Sequence, residues 1–113
     1  RFSKKQIHFD QNQIEAFSEI VQMLEDEDIK LILVLAPITK SKYQQYTNID
    51  SFDRKMRSFS TYYNFNKKTF LRDSLHFYDA HHLNSNGVKL FNKKLIEVLH
   101  KKLPIFPIYN LMW

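Results

Sequence analysis

Residues 78–87, with the sequence YDAHHLNSNG, place an acidic side chain three positions before an imidazole. At this spacing Asp79 and His82 can lie on the same side of a tight turn or of one helical turn. The carboxylate can then bond to one imidazole nitrogen and leave the other facing outward as a general base. A serine hydroxyl within reach would lose its proton to that nitrogen as it attacks an ester carbonyl. The segment therefore indicates acid/base chemistry of the kind used in acyl transfer.

The order Asp-x-x-His-Leu-Asn-x-x-Gly, which runs from Asp79 to Gly87 ahead of an amphipathic helix, resembles the last conserved block of the SGNH (GDSL-type) hydrolases. The resemblance implies that Asp79 is the orienting acid and His82 the acid/base of a Ser-His-Asp triad. Asn84 also matches the motif, and we interpret it as a cap or loop brace. We interpret Gly87 as a position that allows close backbone approach. His81 occupies a position that the motif leaves free, so it receives no role.

The other blocks of that family are not recognisable in this sequence. The family places its nucleophile in a Gly-Asp-Ser block, and its oxyanion hole uses a second glycine and the asparagine of a Gly-x-Asn-Asp block. Gly87 is the sole glycine, so none of these blocks can be matched. The serines, none of them in an activating motif, are Ser3, Ser18, Ser41, Ser51, Ser58, Ser60, Ser74 and Ser85. We therefore expect this polypeptide alone to be an incomplete catalyst. Either an N-terminal part was lost, or another chain supplies it, or the domain is a degenerate relative of the family.

Two further roles are open for the Asp79–His82 pair. It can be a structural hydrogen bond or helix cap, or it can belong to a metal site. His76, Asp79, His81 and His82 have the side chains that ligate zinc, although adjacent histidines tend to point apart. We expect no metal and no cofactor.

The chain is basic, with a formal net charge of +5, which permits anionic partners without identifying one. Basic residues occur as scattered pairs: Lys4-Lys5, Arg54-Lys55, Lys67-Lys68, Lys93-Lys94 and Lys101-Lys102. A module that binds nucleic acid or an anionic glycan is thus a second hypothesis, but scattered pairs favour surface solubility over a nucleic-acid stripe. A non-catalytic domain that binds a partner or a glycan, or that self-associates, is a third.

Composition predicts a single folded domain over residues 1–113, because 43% of the residues are hydrophobic and 15% aromatic. A lone glycine excludes phosphate-binding loops and the dinucleotide fingerprint. The lack of cysteine excludes disulfides and thiolate metal sites. The apolar tail, residues 103–113, is too short to span a bilayer, and no other run is long enough.

Helical periodicity predicts a first helix that Asp10 can cap, with Gln13 placed as in a capping box. Phe9 can pack on Ile14 as a hydrophobic staple. The acidic run 25–28 closes this helix.

The apolar run 31–36 stops at Pro37 and predicts a strand buried on both faces, as in parallel sheets. Residues 38–49 are expected to form a polar loop. A second helix opens at Asp50 or Ser51. Its predicted buried face consists of Phe52, Met56, Phe59 and Tyr63.

A short strand is possible at Phe65 and residues 70–71, followed by a loop over residues 78–87. Asn84 or Ser85 can cap a third helix that ends before Pro104. The order helix, strand, helix, possible strand, helix predicts an α/β fold.

The same order is similar to the C-terminal half of the flavodoxin-like, three-layer α/β/α SGNH fold. The resemblance implies a C-terminal portion of a larger SGNH-like domain with a short parallel sheet. It also implies an esterase or O-acyltransferase acting on an O-acylated substrate, most often an O-acetylated carbohydrate. Relatives of this kind are often bacterial envelope proteins.

Overall fold

The computed structural model describes residues 4–67 and 70–102. Its elements in chain order are α1 (Gln11–Asp26), β1 (Ile32–Leu35), α2 (Lys40–Tyr43), α3 (Ile49–Phe59), β2 (Thr61–Asn64), a 3₁₀ turn (Phe65–Lys67), α4 (Asp73–His76), β3 (Phe77–Asp79), β4 (His82–Leu83) and α5 (Ser85–Lys102). The described residues form two compact units, 4–36 with 43–67 and 37–42 with 70–102. The apolar tail predicted at 103–113 lies outside them.

The first unit contains a parallel strand pair. β1 and β2 pair from Ile32 with Thr61 to Leu35 with Asn64. Parallel strands need a crossover between them, and α3 lies in the intervening chain. The mixed helices and strands agree with the predicted α/β class. Within the described part of the chain, this sheet has two strands.

The start of α1 follows from its capping residue. The Asp10 carboxylate accepts hydrogen bonds from the backbone N–H of Asn12 at 2.9 Å and of Gln13 at 3.3 Å. These bonds satisfy donors that the first helical turn leaves without intrahelical partners. The predicted capping residue is therefore confirmed. The helix ends at Asp26, inside the acidic run, as predicted.

The region after α3 differs from the prediction. The second helix ends at Phe59, Ser60 is extended with φ −169°, and the strand is Thr61–Asn64. Tyr63, predicted on the helix, therefore lies in β2. The strand predicted at Phe65 is wrong, because this residue opens the 3₁₀ turn. A run of Thr-Tyr-Tyr favours extended backbone, and that preference outweighs the helical spacing of the aromatic residues.

β1 is less buried than its sequence predicts. Val34 is 39% exposed, and its three strand neighbours are partly buried. The prediction of a strand buried on both faces is therefore wrong for the described residues. The most buried apolar side chain of this unit is Phe65, and Val21 on α1 and Tyr62 on β2 are buried with it.

The second unit contains an antiparallel hairpin in place of the predicted loop. β3 pairs with β4 through Phe77 with Leu83 and Asp79 with His82, with an irregularity in between. α5 follows directly and packs against α4 and β4. Phe91 on α5 is fully buried. No helix in the described ranges is long and apolar enough to cross a membrane.

Candidate functional site

Asp79 and His82 lie side by side at the end of the β3–β4 hairpin. His82 Nδ1 is 2.8 Å from Oδ1 and 3.0 Å from Oδ2 of Asp79. A carboxylate can only accept, so this geometry places a proton on Nδ1. In the neutral imidazole, Nε2 then carries the lone pair.

The hairpin itself produces this contact. Strand pairing sets Asp79 opposite His82, and the turn between them brings the His81 backbone N–H to 2.9 Å from Asp79 Oδ1. The Asp79 carboxylate is therefore held both by the backbone N–H of His81 and by the imidazole ring of His82. The His81 N–H, and after it the His82 side chain, hold the pKa of Asp79 below its usual value. Asp79 thus stays ionised as a partner for the ring.

The pair is open to solvent. The side chains of His82 and Asp79 are 73% and 50% exposed. Among the described residues, no protein atom forms a hydrogen bond with Nε2 of His82, since its bonds run through Nδ1. The ring can therefore accept a proton at Nε2 from a group that approaches from outside, while Asp79 stabilises the resulting imidazolium.

Asn84 ties the hairpin to the start of α5. Its Oδ1 accepts from the Gly87 N–H at 2.9 Å, which caps the helix. Its Nδ2 donates to the Leu75 carbonyl at 2.9 Å, and its own N–H donates to the His76 carbonyl at 3.0 Å. Asn84 therefore links α4, β4 and α5 through three bonds.

Gly87 lets two backbone segments approach closely. A Cβ at this position would overlap the carbonyl oxygen of His76 and would lie 3.0 Å from Cδ2 of Leu83. Any larger side chain would push α5 away from α4 and β4. Glycine is thus required here by space and not by backbone dihedral angles, because no glycine has positive φ.

The four residues with zinc-ligating side chains, His76, Asp79, His81 and His82, do not come together as a metal site. In the part of the chain that the structure describes, no group of three or more His, Asp or Glu side chains is arranged to hold a metal. His76 instead accepts from the Arg72 N–H through Nδ1 at 2.8 Å, which closes its own helical turn. His76, Asp79, His81 and His82 thus do not form a metal-ligand set in this structure.

Ser41 has a carboxylate partner, but that carboxylate is a helix cap. Asp73 accepts from the Lys40 N–H at 2.7 Å, the Ser41 N–H at 3.1 Å and the Ser41 hydroxyl at 2.8 Å. Partial burial would raise the pKa of Asp73, but these bonds outweigh burial and lower it. A serine that donates to an ionised cap is held in place by it and is not activated by a base.

A second polar cluster, in the first unit, was not foreseen from the sequence. Asp53 on α3 is 1% exposed. Its Oδ1 accepts from the Tyr62 hydroxyl at 2.8 Å and from Asn64 Nδ2 at 3.1 Å. Lys67 Nζ lies 3.0 Å from its Oδ2 and 3.3 Å from Asp50 Oδ1. We call Asp50, Asp53, Tyr62, Asn64 and Lys67 the Asp53 cluster.

The Asp53 cluster holds a charged carboxylate inside the unit. Burial alone would raise the pKa of Asp53, but the bonds from Tyr62, Lys67 and Asn64 outweigh it and lower the pKa. Burial, and then the neighbouring Asp53, raise the pKa of Tyr62, so its hydroxyl remains a donor at neutral pH. Position 53 belongs to a helix whose predicted buried face was aromatic, and no local signal in the sequence marks it.

Comparison with known proteins gives no relative: no protein-family model, no curated protein and no solved structure matches the chain. The function must therefore be argued from the geometry of the Asp79–His82 pair and its supports.

Proposed function

We propose that Asp79 and His82 are the acid/base pair of an SGNH-like ester hydrolase or O-acyltransferase that acts on an O-acylated carbohydrate. In this proposal the nucleophilic serine and the oxyanion donors come from another segment or another chain. The α/β units would then belong to a three-layer, flavodoxin-like α/β/α domain. The observation that carries the proposal is the 2.8 Å contact between His82 Nδ1 and Asp79, with Nε2 facing solvent.

The geometry suits a complete acyl-transfer cycle. Nε2 of His82 takes the proton of the serine hydroxyl as the oxygen attacks the ester carbonyl, and Asp79 stabilises the imidazolium. The imidazolium then returns the proton to the leaving alcohol, which leaves an acyl-serine. Water or an acceptor hydroxyl then loses a proton to Nε2 as it attacks the acyl group, and the imidazolium gives that proton to the serine oxygen as the serine is released. Ester hydrolysis and O-acyl transfer differ only in whether water or an acceptor hydroxyl attacks the acyl-serine.

The exposure of the pair supports the view that a further segment completes the site. Stabilisation of the oxyanion is usually the largest contribution in acyl transfer, and it requires donors shielded from water. An imidazole that is 73% exposed lacks such surroundings. Docking of the segment that carries the serine would cover the ring and supply these donors together.

The test uses this chain together with the segment or chain that supplies the serine and the oxyanion donors, and it measures acetate release from an acetylated carbohydrate and from 4-nitrophenyl acetate. His82→Ala should lower kcat by at least about 1,000-fold, because the proton acceptor is lost. Asp79→Asn should also lower kcat strongly, because the orienting charge is lost. His81→Ala is the matched control and should change kcat less than about 3-fold. Normal turnover by a folded His82→Ala protein would overturn the proposal.

The alternative is a non-catalytic α/β domain that binds a partner or a glycan. Exposed apolar side chains on and after α1 favour it: Ile20 and Ile29 are each 52% exposed, and Met23 is 66% exposed. Such residues on a helix suit contact with another protein surface. Light scattering would detect self-association as a mass that rises with concentration. Met23→Lys, with Glu19→Lys as the control, should abolish that rise.

A further inference from the structure

A cleft with a volume of about 340 Å³ lies in the first unit beside the Asp53 cluster. Its lining includes Tyr43, Gln44, Tyr46, Thr47, Asp50 and Lys67. Lys67 comes three residues after the end of β2. Ligands of open α/β sheets bind outside the carboxyl ends of the strands. The cleft is therefore placed where such a fold offers a binding surface.

The Asp53 cluster fixes the cation that lines this cleft. Lys67 Nζ contacts the buried Asp53 carboxylate at 3.0 Å and the exposed Asp50 carboxylate at 3.3 Å. These contacts raise the pKa of Lys67, so it stays an ammonium at neutral pH. An ammonium has three N–H donors. One of them bonds to Asp50, and the ammonium forms an ion pair with Asp53, so donor capacity remains for a ligand.

Tyr43 offers a second positioned donor. Its hydroxyl oxygen accepts from Asn64 Nδ2 at 2.9 Å, so its own hydrogen is available for another acceptor. Burial raises the pKa of Tyr43 and keeps that hydrogen in place. The exposed Gln44 adds an amide that both donates and accepts, and Asp50 adds a carboxylate that only accepts.

The charges of the cleft select against anionic ligands. Lys67 and Asp50 line the cleft with opposite charges that already face each other. Asp53 lies behind them and is negative, so an anion meets a net negative cluster. A neutral ligand that carries many hydroxyl groups can use the donors and acceptors without this repulsion.

We propose that this cleft binds a neutral polyhydroxylated ring, one unit of a saccharide or a cyclitol. The hydroxyl groups of such a ring would accept from Lys67 and Tyr43 and donate to Asp50, and the phenol face of Tyr46 would contact its C–H groups. A volume of about 340 Å³ is at the small end of ligand sites. The inference rests on the first unit and does not depend on the Asp79–His82 proposal.

The experiment is a titration of the isotope-labelled chain, followed by backbone amide NMR shifts. Glucose and glucuronate form the probe pair, because they share a ring and differ in charge. Glucose should give saturable shifts at Gln44, Tyr46 and Thr47 with a Kd of about 1–10 mM, as expected for an open cleft. Glucuronate should bind at least about 3-fold more weakly because of the net negative cluster.

Variants then locate the site. Gln44→Ala and Asp50→Asn should each raise the Kd for glucose at least about 3-fold, because each removes one hydrogen-bonding group. Gln22→Ala, on the exposed side of α1, is the matched control and should leave the Kd unchanged. Asp50→Asn should also reduce the difference in Kd between glucose and glucuronate, because it removes one negative charge from the cluster.

Three results would overturn the inference: no saturable shift with glucose up to about 100 mM, shifts that Gln44→Ala leaves unchanged, or tighter binding of glucuronate than of glucose. Binding is also measured in Asp79→Asn and His82→Ala, where it should be unchanged. Loss of saccharide binding and loss of ester hydrolysis would thus be separate findings, each bearing on one proposal.

Discussion

The backbone of Gly87 lies directly against the carbonyl oxygen of His76, so closely that a Cβ at position 87 would overlap that oxygen. The same oxygen accepts the N–H of Asn84 at 3.0 Å. Gly87→Ala should therefore separate α5 from α4 and destabilise the fold by about 1–3 kcal/mol. Chemical denaturation followed by circular dichroism measures this loss.

The control for Gly87→Ala is Asn86→Ala, which changes an exposed position in the same helical turn. It should alter the free energy of unfolding by less than about 0.5 kcal/mol. Equal stability of the Gly87→Ala and wild-type proteins would show that the two segments do not pack as described.

Asp79→Asn should change the tautomer of His82. In the wild-type protein the carboxylate accepts from Nδ1 at 2.8 Å, which favours the tautomer that carries its proton there. The amide introduced at position 79 can turn its NH₂ group toward the ring and donate to Nδ1, which must then lack a proton. The ring proton should therefore move in part from Nδ1 to Nε2. The two ring ¹⁵N chemical shifts of His82 at high pH report this distribution.

Asp73→Asn is the control for the tautomer experiment, since its carboxylate bonds to α2 instead of to a ring. It should leave the His82 nitrogen shifts unchanged. Identical shifts in the wild-type and Asp79→Asn proteins would mean that the contact does not order the ring in solution.

Local signals in the sequence were sufficient for the cap of α1 and for the contact between Asp79 and His82. Asp10 caps α1 because a carboxylate before a helix meets free N–H groups within three residues. Asp79 and His82 meet because only two residues separate them. Interactions of this range depend on few neighbours, so the residue types predict them.

The Asp53 cluster could not be predicted in the same way. Asp53 is separated from its partner Tyr62 by nine positions and from Lys67 by fourteen, and the packing of the folded unit brings these residues together. A charged residue on a helix is usually solvated, so the sequence favours an exposed position. The helical spacing of Phe59 and Tyr63 also concealed the start of β2, because aromatic residues suit either element.

Asn84 should contribute to stability in two separable ways. Asn84→Ala removes the cap on Gly87 and the bond to the Leu75 carbonyl, and we expect a loss of about 1–2 kcal/mol. Asn84→Asp keeps an acceptor for the Gly87 N–H but has no donor for Leu75. The loss of stability in Asn84→Asp should be smaller than the loss in Asn84→Ala. Thermal and denaturant unfolding of both variants test this order, and the reverse order would contradict the two roles.

Asp53 should make the free energy of unfolding depend on pH in the acidic range. Its pKa in the folded protein lies below the unfolded value of 3.8, so the unfolded chain binds its proton first as the pH falls. The stabilisation by Asp53 is therefore fully present above this unfolded value and is lost as the pH falls through the folded pKa. Asp53→Asn removes this contribution and should destabilise the protein by about 1.5–3 kcal/mol at pH 7, because charged hydrogen bonds are lost.

The informative quantity is the difference in the free energy of unfolding between the wild-type and Asp53→Asn proteins, because the other carboxylates contribute equally to both. It should be constant from about pH 7 to pH 5 and should shrink toward pH 3. Asp50→Asn is the control, since that side chain is 83% exposed, and its effect should stay below about 1 kcal/mol throughout. Urea unfolding at each pH, followed by circular dichroism, measures these values. A difference that does not change with pH would show that Asp53 is not held ionised by Tyr62, Asn64 and Lys67.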